Sequence, residues 1–115
     1  TTGAIFGFLG VAIGAFGAHQ VEKFVSPEMM EIYRTGVLYH LIHAAVILAI
    51  GLAGNRKFFK GALFISIGII LFSFSLYVYS LTSVSAIAMI TPVGGVSFLL
   101  GWLLIIISSL KKNET

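Results

Sequence analysis

Four long apolar stretches, joined by short connections, fill almost the whole of this 115-residue chain. They run over residues 1–18, 36–53, 58–81 and 92–110. A helix rises about 1.5 Å per residue, so roughly 20 residues cross the hydrocarbon core of a bilayer. Charged residues make up 10% of the chain and hydrophobic ones 58%, where a soluble domain carries about a quarter charged. The mean hydropathy is +1.07. Apolar surface on this scale needs lipid as its solvent, and a spanning segment must satisfy its own backbone groups, as a helix does. The expected fold is an all-α membrane protein, a four-transmembrane-helix bundle with a single domain over 1–115. A signal peptide is the competing reading of the first stretch, but it lacks a basic n-region and is longer than a usual h-region.

The net charge of +3 comes from seven Lys and Arg against four Asp and Glu. The basic residues sit in connections and near the C-terminus, with no basic face interleaved with aromatics, which argues against nucleic acid as a partner. Arg56, Lys57 and Lys60 fall between the second and third stretches, and Lys111 and Lys112 follow the fourth. Lys23 and Arg34 lie in the first connection beside Glu22, Glu28 and Glu31, and the third connection is uncharged. The positive-inside rule then predicts cytoplasmic N- and C-termini. Cysteine is absent, which excludes disulfides, thiolate metal sites and cysteine nucleophiles.

Local signals place the helix ends. Ser26-Pro27 is a cap followed by a first-turn proline, and Gly54-Asn55 is a stop. Thr91-Pro92 repeats the cap-then-proline pattern for the fourth helix. Residues 82–90, uncharged and fairly apolar, are expected to stay close to the membrane surface.

In lipid, helices associate through close backbone approach and interhelical hydrogen bonds, because burial from water no longer drives them together. Gly3, Gly7, Gly10, Gly14 and Gly17 recur at spacings of 4, 3, 4 and 3 along the first helix. That stripe is a groove for a neighbouring helix, either within the chain or across a homo-oligomer seam. Gly61 and Gly68 on the third helix, and Gly94, Gly95 and Gly101 on the fourth, mark further close approaches.

Ionisable groups inside a span are costly and raise a functional hypothesis. His19 closes the first helix, while His40 and His43 lie in the second, where Tyr33, Gly36, His40 and His43 share one face. Tyr39 precedes them. Ser73, Ser75 and Tyr77 on the third helix and Thr91 on the fourth are expected at the same level, giving a polar layer in the outer half of the bundle. Three readings compete for it. One is a hydrogen-bond network that fixes helix register. Another is a metal or haem site built on His43 with His40 or His19, imidazole being a ligand for both. The third is a path for a small molecule, lipid or proton, and the lack of intramembrane Asp or Glu weakens its proton-coupled form. No HExxH or GxSxG occurs, and glycine-rich sequence inside a span cannot act as a phosphate loop. Trp102 lies too deep for an aromatic belt and reads as a core or lipid-facing residue.

Four motifs occur in order: Gly14-Ala-Phe-Gly-Ala-His19, Tyr39-His40-Leu-Ile-His43, Leu71-Phe-Ser-Phe-Ser-Leu-Tyr77, and Ile90-Thr-Pro-Val-Gly-Gly-Val-Ser-Phe98 with Gly101-Trp102. From about Gly3 to Lys112 the chain resembles the DUF423 family of small bacterial four-helix membrane proteins. The resemblance implies a four-span plasma-membrane architecture and no established enzymatic activity, and no cofactor is expected. It maps motif positions onto His19, Tyr39, His43, Ser73, Ser75, Tyr77, Thr91, Pro92, Gly94, Gly95, Gly101 and Trp102. His40 stands where the family often has Gln, and Phe74 where it often has Gly; a Gln hydrogen-bonds well but ligates metal poorly. The expectation is a non-enzymatic accessory protein of a bacterial cell membrane that binds a membrane partner or lipid. The alternative is a binding or transport protein for a metal, haem or small hydrophobic ligand.

Overall fold

The computed structural model describes residues 1–112 of the chain. Helix α1 (Thr2–His19) runs into a 3-10 turn over Val21–Lys23, and α2 (Pro27–Ala53) follows. A second 3-10 turn, Arg56–Phe58, leads to α3 (Phe59–Gly68), a π-helical turn over Ile69–Ser73, and α4 (Phe74–Thr82). A short α5 (Ser85–Ala88) precedes α6 (Thr91–Ser109). Four helical segments are long and apolar enough to cross a membrane: Thr2–Lys23, Pro27–Ala53, Arg56–Thr82 and Ser85–Ser109.

The ends follow local chemistry with one exception. Ser26 Oγ accepts the Met29 N–H at 3.2 Å, and Pro27 opens the first turn of α2. Gly54 closes that helix at φ 69°, a left-handed conformation that glycine adopts without a Cβ clash. Thr91 differs from expectation. It is the first residue of α6 rather than its cap, the cap position is Ile90, and the threonine hydroxyl bonds Ser75 on α4. A side chain committed to a neighbouring helix is no longer available to its own N-terminus.

α1 packs on α2, α6 packs on α3, and α2 with the α3–α4 segment joins the two pairs. α1 and α6 therefore lie at opposite margins, and the principal extents are 50 × 25 × 15 Å, a flattened bundle. Two apolar clusters fill its centre. Val21, Met30, Tyr33 and Tyr77 form one toward the first connection, and Ile47, Ile65, Ile69 and Phe98 form the other toward the second. Across the first connection Arg34 and Glu22 approach to 3.6 Å with both side chains exposed, a pair of small energetic weight.

Candidate functional site

Glycine sets how closely the polar side chains approach one another. α1 and α2 run antiparallel, and Gly17, Gly10 and Gly3 face Tyr33, the His40–Leu41 pair and the Leu48 backbone in turn. These three are buried and lie seven residues apart, two helical turns. The intervening glycines behave differently. A Cβ on Gly14 would touch only Val37, at 3.2 Å, and one on Gly7 would have nothing within 4 Å. The glycine groove is thus a seam within the chain along Gly3, Gly10 and Gly17, and Gly7 stands outside it. On the other pair, Gly61 and Gly101 bring α3 and α6 together, and Gly94 abuts the backbone of Leu71 and Phe72. Gly95 makes only an ordinary contact with the Phe72 ring, at 3.8 Å.

Within α2, Tyr33, Gly36, His40 and His43 are all buried on the inward face. His40 is fully buried. Its Nε2 lies 2.7 Å from the Phe6 carbonyl oxygen of α1 and its Nδ1 lies 2.8 Å from the Tyr77 hydroxyl of α4. A carbonyl only accepts, so Nε2 carries the proton and Nδ1 accepts from Tyr77. His43 has the opposite tautomer. Trp102 Nε1 of α6 donates to His43 Nε2 at 3.0 Å, and an indole N–H only donates. The proton is therefore on Nδ1, which donates to the Tyr39 carbonyl at 2.7 Å. The His43 ring also stacks on Phe98 with centroids 3.9 Å apart. Every ring nitrogen of the two histidines thus has a protein partner while both rings are neutral.

The remaining polar groups also clasp helices together. Ser75 Oγ donates to the Phe72 carbonyl at 2.8 Å, so the 2.6 Å contact with Thr91 Oγ1 has the threonine as donor. Tyr33 donates to the Ile13 carbonyl at 2.6 Å, and Ser97 to the Phe64 carbonyl at 2.6 Å. Ser73 Oγ is the buried side-chain polar atom, among the described residues, that has no partner.

The expected single layer is therefore a stagger of separate bridges. Thr91 and Trp102 both belong to α6 yet are eleven residues apart, about 16 Å along the helix. The Thr91–Ser75 bridge and the Trp102–His43 bridge consequently sit at different depths. His19 is exposed at the end of α1, and none of the described hydrogen bonds reaches it. Tyr39 is 40% exposed and contributes its carbonyl to His43, while its ring packs on Phe72. Trp102, expected as a core or lipid-facing residue, is 40% exposed and is in addition the donor that fixes His43. An imidazole acceptor deep in a span requires a donor, and Trp102 was a mid-span N–H donor on the fourth helix. The Phe6, Ile13 and Phe64 carbonyls carry no side-chain signal and were invisible in sequence. Among the described residues no three His, Cys, Asp or Glu come together in a metal-binding group.

A sequence model of the family described as "Protein of unknown function (DUF423)" matches residues 13–95. The chain is similar to the UPF0382 membrane protein YwdK of Bacillus subtilis, at 39% identity over 95% of this chain and 93% of the relative. It is similar to the UPF0382 inner membrane protein YgdD of Escherichia coli K12, at 40% identity over 96% of this chain and 88% of the relative. A UPF0382 membrane protein of Staphylococcus epidermidis is 38% identical over 95% of this chain and 92% of the relative. No solved structure matches the chain.

Proposed function

Because this chain belongs to the DUF423 family of bacterial membrane proteins, we propose that it serves as a small accessory protein of the cell membrane, without catalytic activity. On this reading its polar bridges hold the fold, and its lipid-facing surface does the work by binding a membrane partner or lipid. The observation that carries the proposal is the occupancy of the histidines. All four ring nitrogens of His40 and His43 are hydrogen-bonded inside the protein. Each neutral imidazole has one lone pair for a metal, and here Tyr77 and Trp102 already engage those two. The same bonds disfavour a proton path, since a relay needs a group free to exchange partners. In this reading both termini are cytoplasmic, supported by the cations at 56–60 and 111–112.

The test is elemental analysis and a visible absorption spectrum of protein purified in mild detergent without imidazole or chelators, beside His43→Ala. The proposal expects neither stoichiometric metal nor chromophore in either sample, and a lower thermal midpoint for the variant. Stoichiometric metal or a Soret band that disappears in His43→Ala would overturn it.

A further inference from the structure

Between α2 and α6, with Phe58 of the second connection at one end, lies an open apolar groove of about 270 Å³ lined by Val46, Ala49, Ile50, Ala53, Phe58, Trp102 and Ile105. The α2 residues lie at 46, 49, 50 and 53, one helical face about 10 Å long. The groove has a direction. At its deep end is Trp102, well inside α6, and at its shallow end are Ala53 and Phe58, beside the second connection. Lys57 stands at that end, its ammonium 5.1 Å from the Phe58 ring centroid and 3.0 Å from the Lys111 carbonyl oxygen. Arg56, Lys57, Lys60, Lys111 and Lys112 all belong to this end of the chain's topology. Of the four acidic side chains only Glu114, outside the described residues, falls near it in sequence.

We infer that this groove holds an acyl chain of an anionic phospholipid whose phosphate lies among the cations around Lys57. Charge complementarity decides the occupant. A neutral apolar helix would fill the groove but gain nothing from the basic rim, whereas a lipid anion uses both ends. Basic pockets at the ends of membrane helices recognise lipid headgroups on this principle, each cation near the surface adding about fivefold in affinity. The small Ala49 and Ala53 side chains leave the groove open where a chain would lie. The inference deepens the accessory reading above by naming the lipid as anionic.

Trp102 is the only tryptophan in the chain and lines the groove, so quenching of its fluorescence reports on lipid that reaches this residue. The experiment titrates mixed micelles of the purified protein with phosphatidylglycerol or phosphatidylcholine carrying identical dibrominated acyl chains, which quench at short range. Phosphatidylglycerol should quench at about fivefold lower mole fraction than phosphatidylcholine. That preference should weaken in Lys57→Gln, which removes one cation of the group. In Ala49→Phe, which fills the groove, quenching by both lipids should weaken, while Leu63→Phe, in the opening between α1, α2 and α3, should behave as wild type. Ala49→Leu serves in place of Ala49→Phe if the larger ring disturbs folding. Equal quenching by the two lipids, or a preference unchanged in both Ala49→Phe and Lys57→Gln, would overturn the inference. Metal analysis of the same samples separates failure of the accessory reading, which would appear as bound metal, from failure of the lipid site, which would appear as lost headgroup preference.

Discussion

The two histidines have opposite tautomers because their neighbours have fixed chemistry. A backbone carbonyl forces the proton onto Nε2 of His40, and an indole forces it off Nε2 of His43. Removing one partner leaves a buried acceptor unsatisfied. Tyr77→Phe is expected to cost about 1 kcal/mol, in the range of hydrogen bonds between membrane helices, measured as reversible unfolding in detergent. A loss below experimental error would mean that the Tyr77–His40 bond contributes nothing to stability. Trp102 offers a spectroscopic check on the other bond. Replacing His43 with Leu frees the indole N–H, and a shift of the emission maximum relative to wild type is expected. An unchanged spectrum would show that the indole does not bond the imidazole in solution.

Among the elements, the third membrane segment is where the π-turn decides the outcome. Among its buried residues, Gly61, Ile65, Ile69, Ser73 and Tyr77 recur in steps of four. An α-helix has 3.6 residues per turn, so such steps drift around its axis. The π-turn over Ile69–Ser73 accommodates one extra residue and returns Ser73 and Tyr77 to the inward face. Deleting exposed Ile70 should convert that turn to α-helix and leave Tyr77 opposite His40, so ΔIle70 is expected to fold, with Tyr77→Phe costing as much in that background as in wild type. Deleting exposed Ile42 from α2, which has no such turn, should rotate His43 by about 100° and prevent folding. Retained folding of ΔIle42, or collapse of ΔIle70, would contradict this account. Glycines offer a matching contrast. Gly94→Val drives a side chain into the Leu71–Phe72 backbone, with Leu71 carbonyl carbon only 2.6 Å from the new Cβ, and should cost about 2 kcal/mol or more. Gly7→Ala meets nothing within 4 Å and should be neutral or stabilising by up to about 1 kcal/mol.

For the molecule as a whole, the positions of its cations and its flattened shape matter most. Five of the seven basic residues lie at the end formed by the second connection and the C-terminus. The proposed orientation therefore expects a reporter fused after Lys112 to read cytoplasmic, and a periplasmic or extracellular reading would reverse it. The same end carries the open mouth of the α2–α6 groove. Because α1 and α6 occupy opposite margins, much of the surface of all four spans faces lipid. The long roster of exposed apolar side chains, such as Phe8, Leu99 and Leu103, is the solvent-compatible surface of a membrane protein.

The sequence alone determined the fold class, since four apolar stretches of spanning length leave the chain no soluble alternative. It also determined the ends of α2, because Ser26, Pro27 and Gly54 act within a turn of where they stand. The inward face of α2 was legible too, through the spacing of Tyr33, Gly36, His40 and His43. Partnership was decided only in three dimensions. The sequence grouped His19 and Thr91 with the histidines of α2, but depth along a helix depends on where each span starts and how it crosses its neighbour. His43 found Trp102, Thr91 found Ser75, and His40 and Tyr33 found backbone carbonyls of α1. The π-turn in the third segment re-phased its inward face, a choice that depends on the combined packing of α2 and α6 against that segment. Sequence sets which groups need a partner, because an unpaired polar atom in hydrocarbon is costly; tertiary packing sets which partner each one finds.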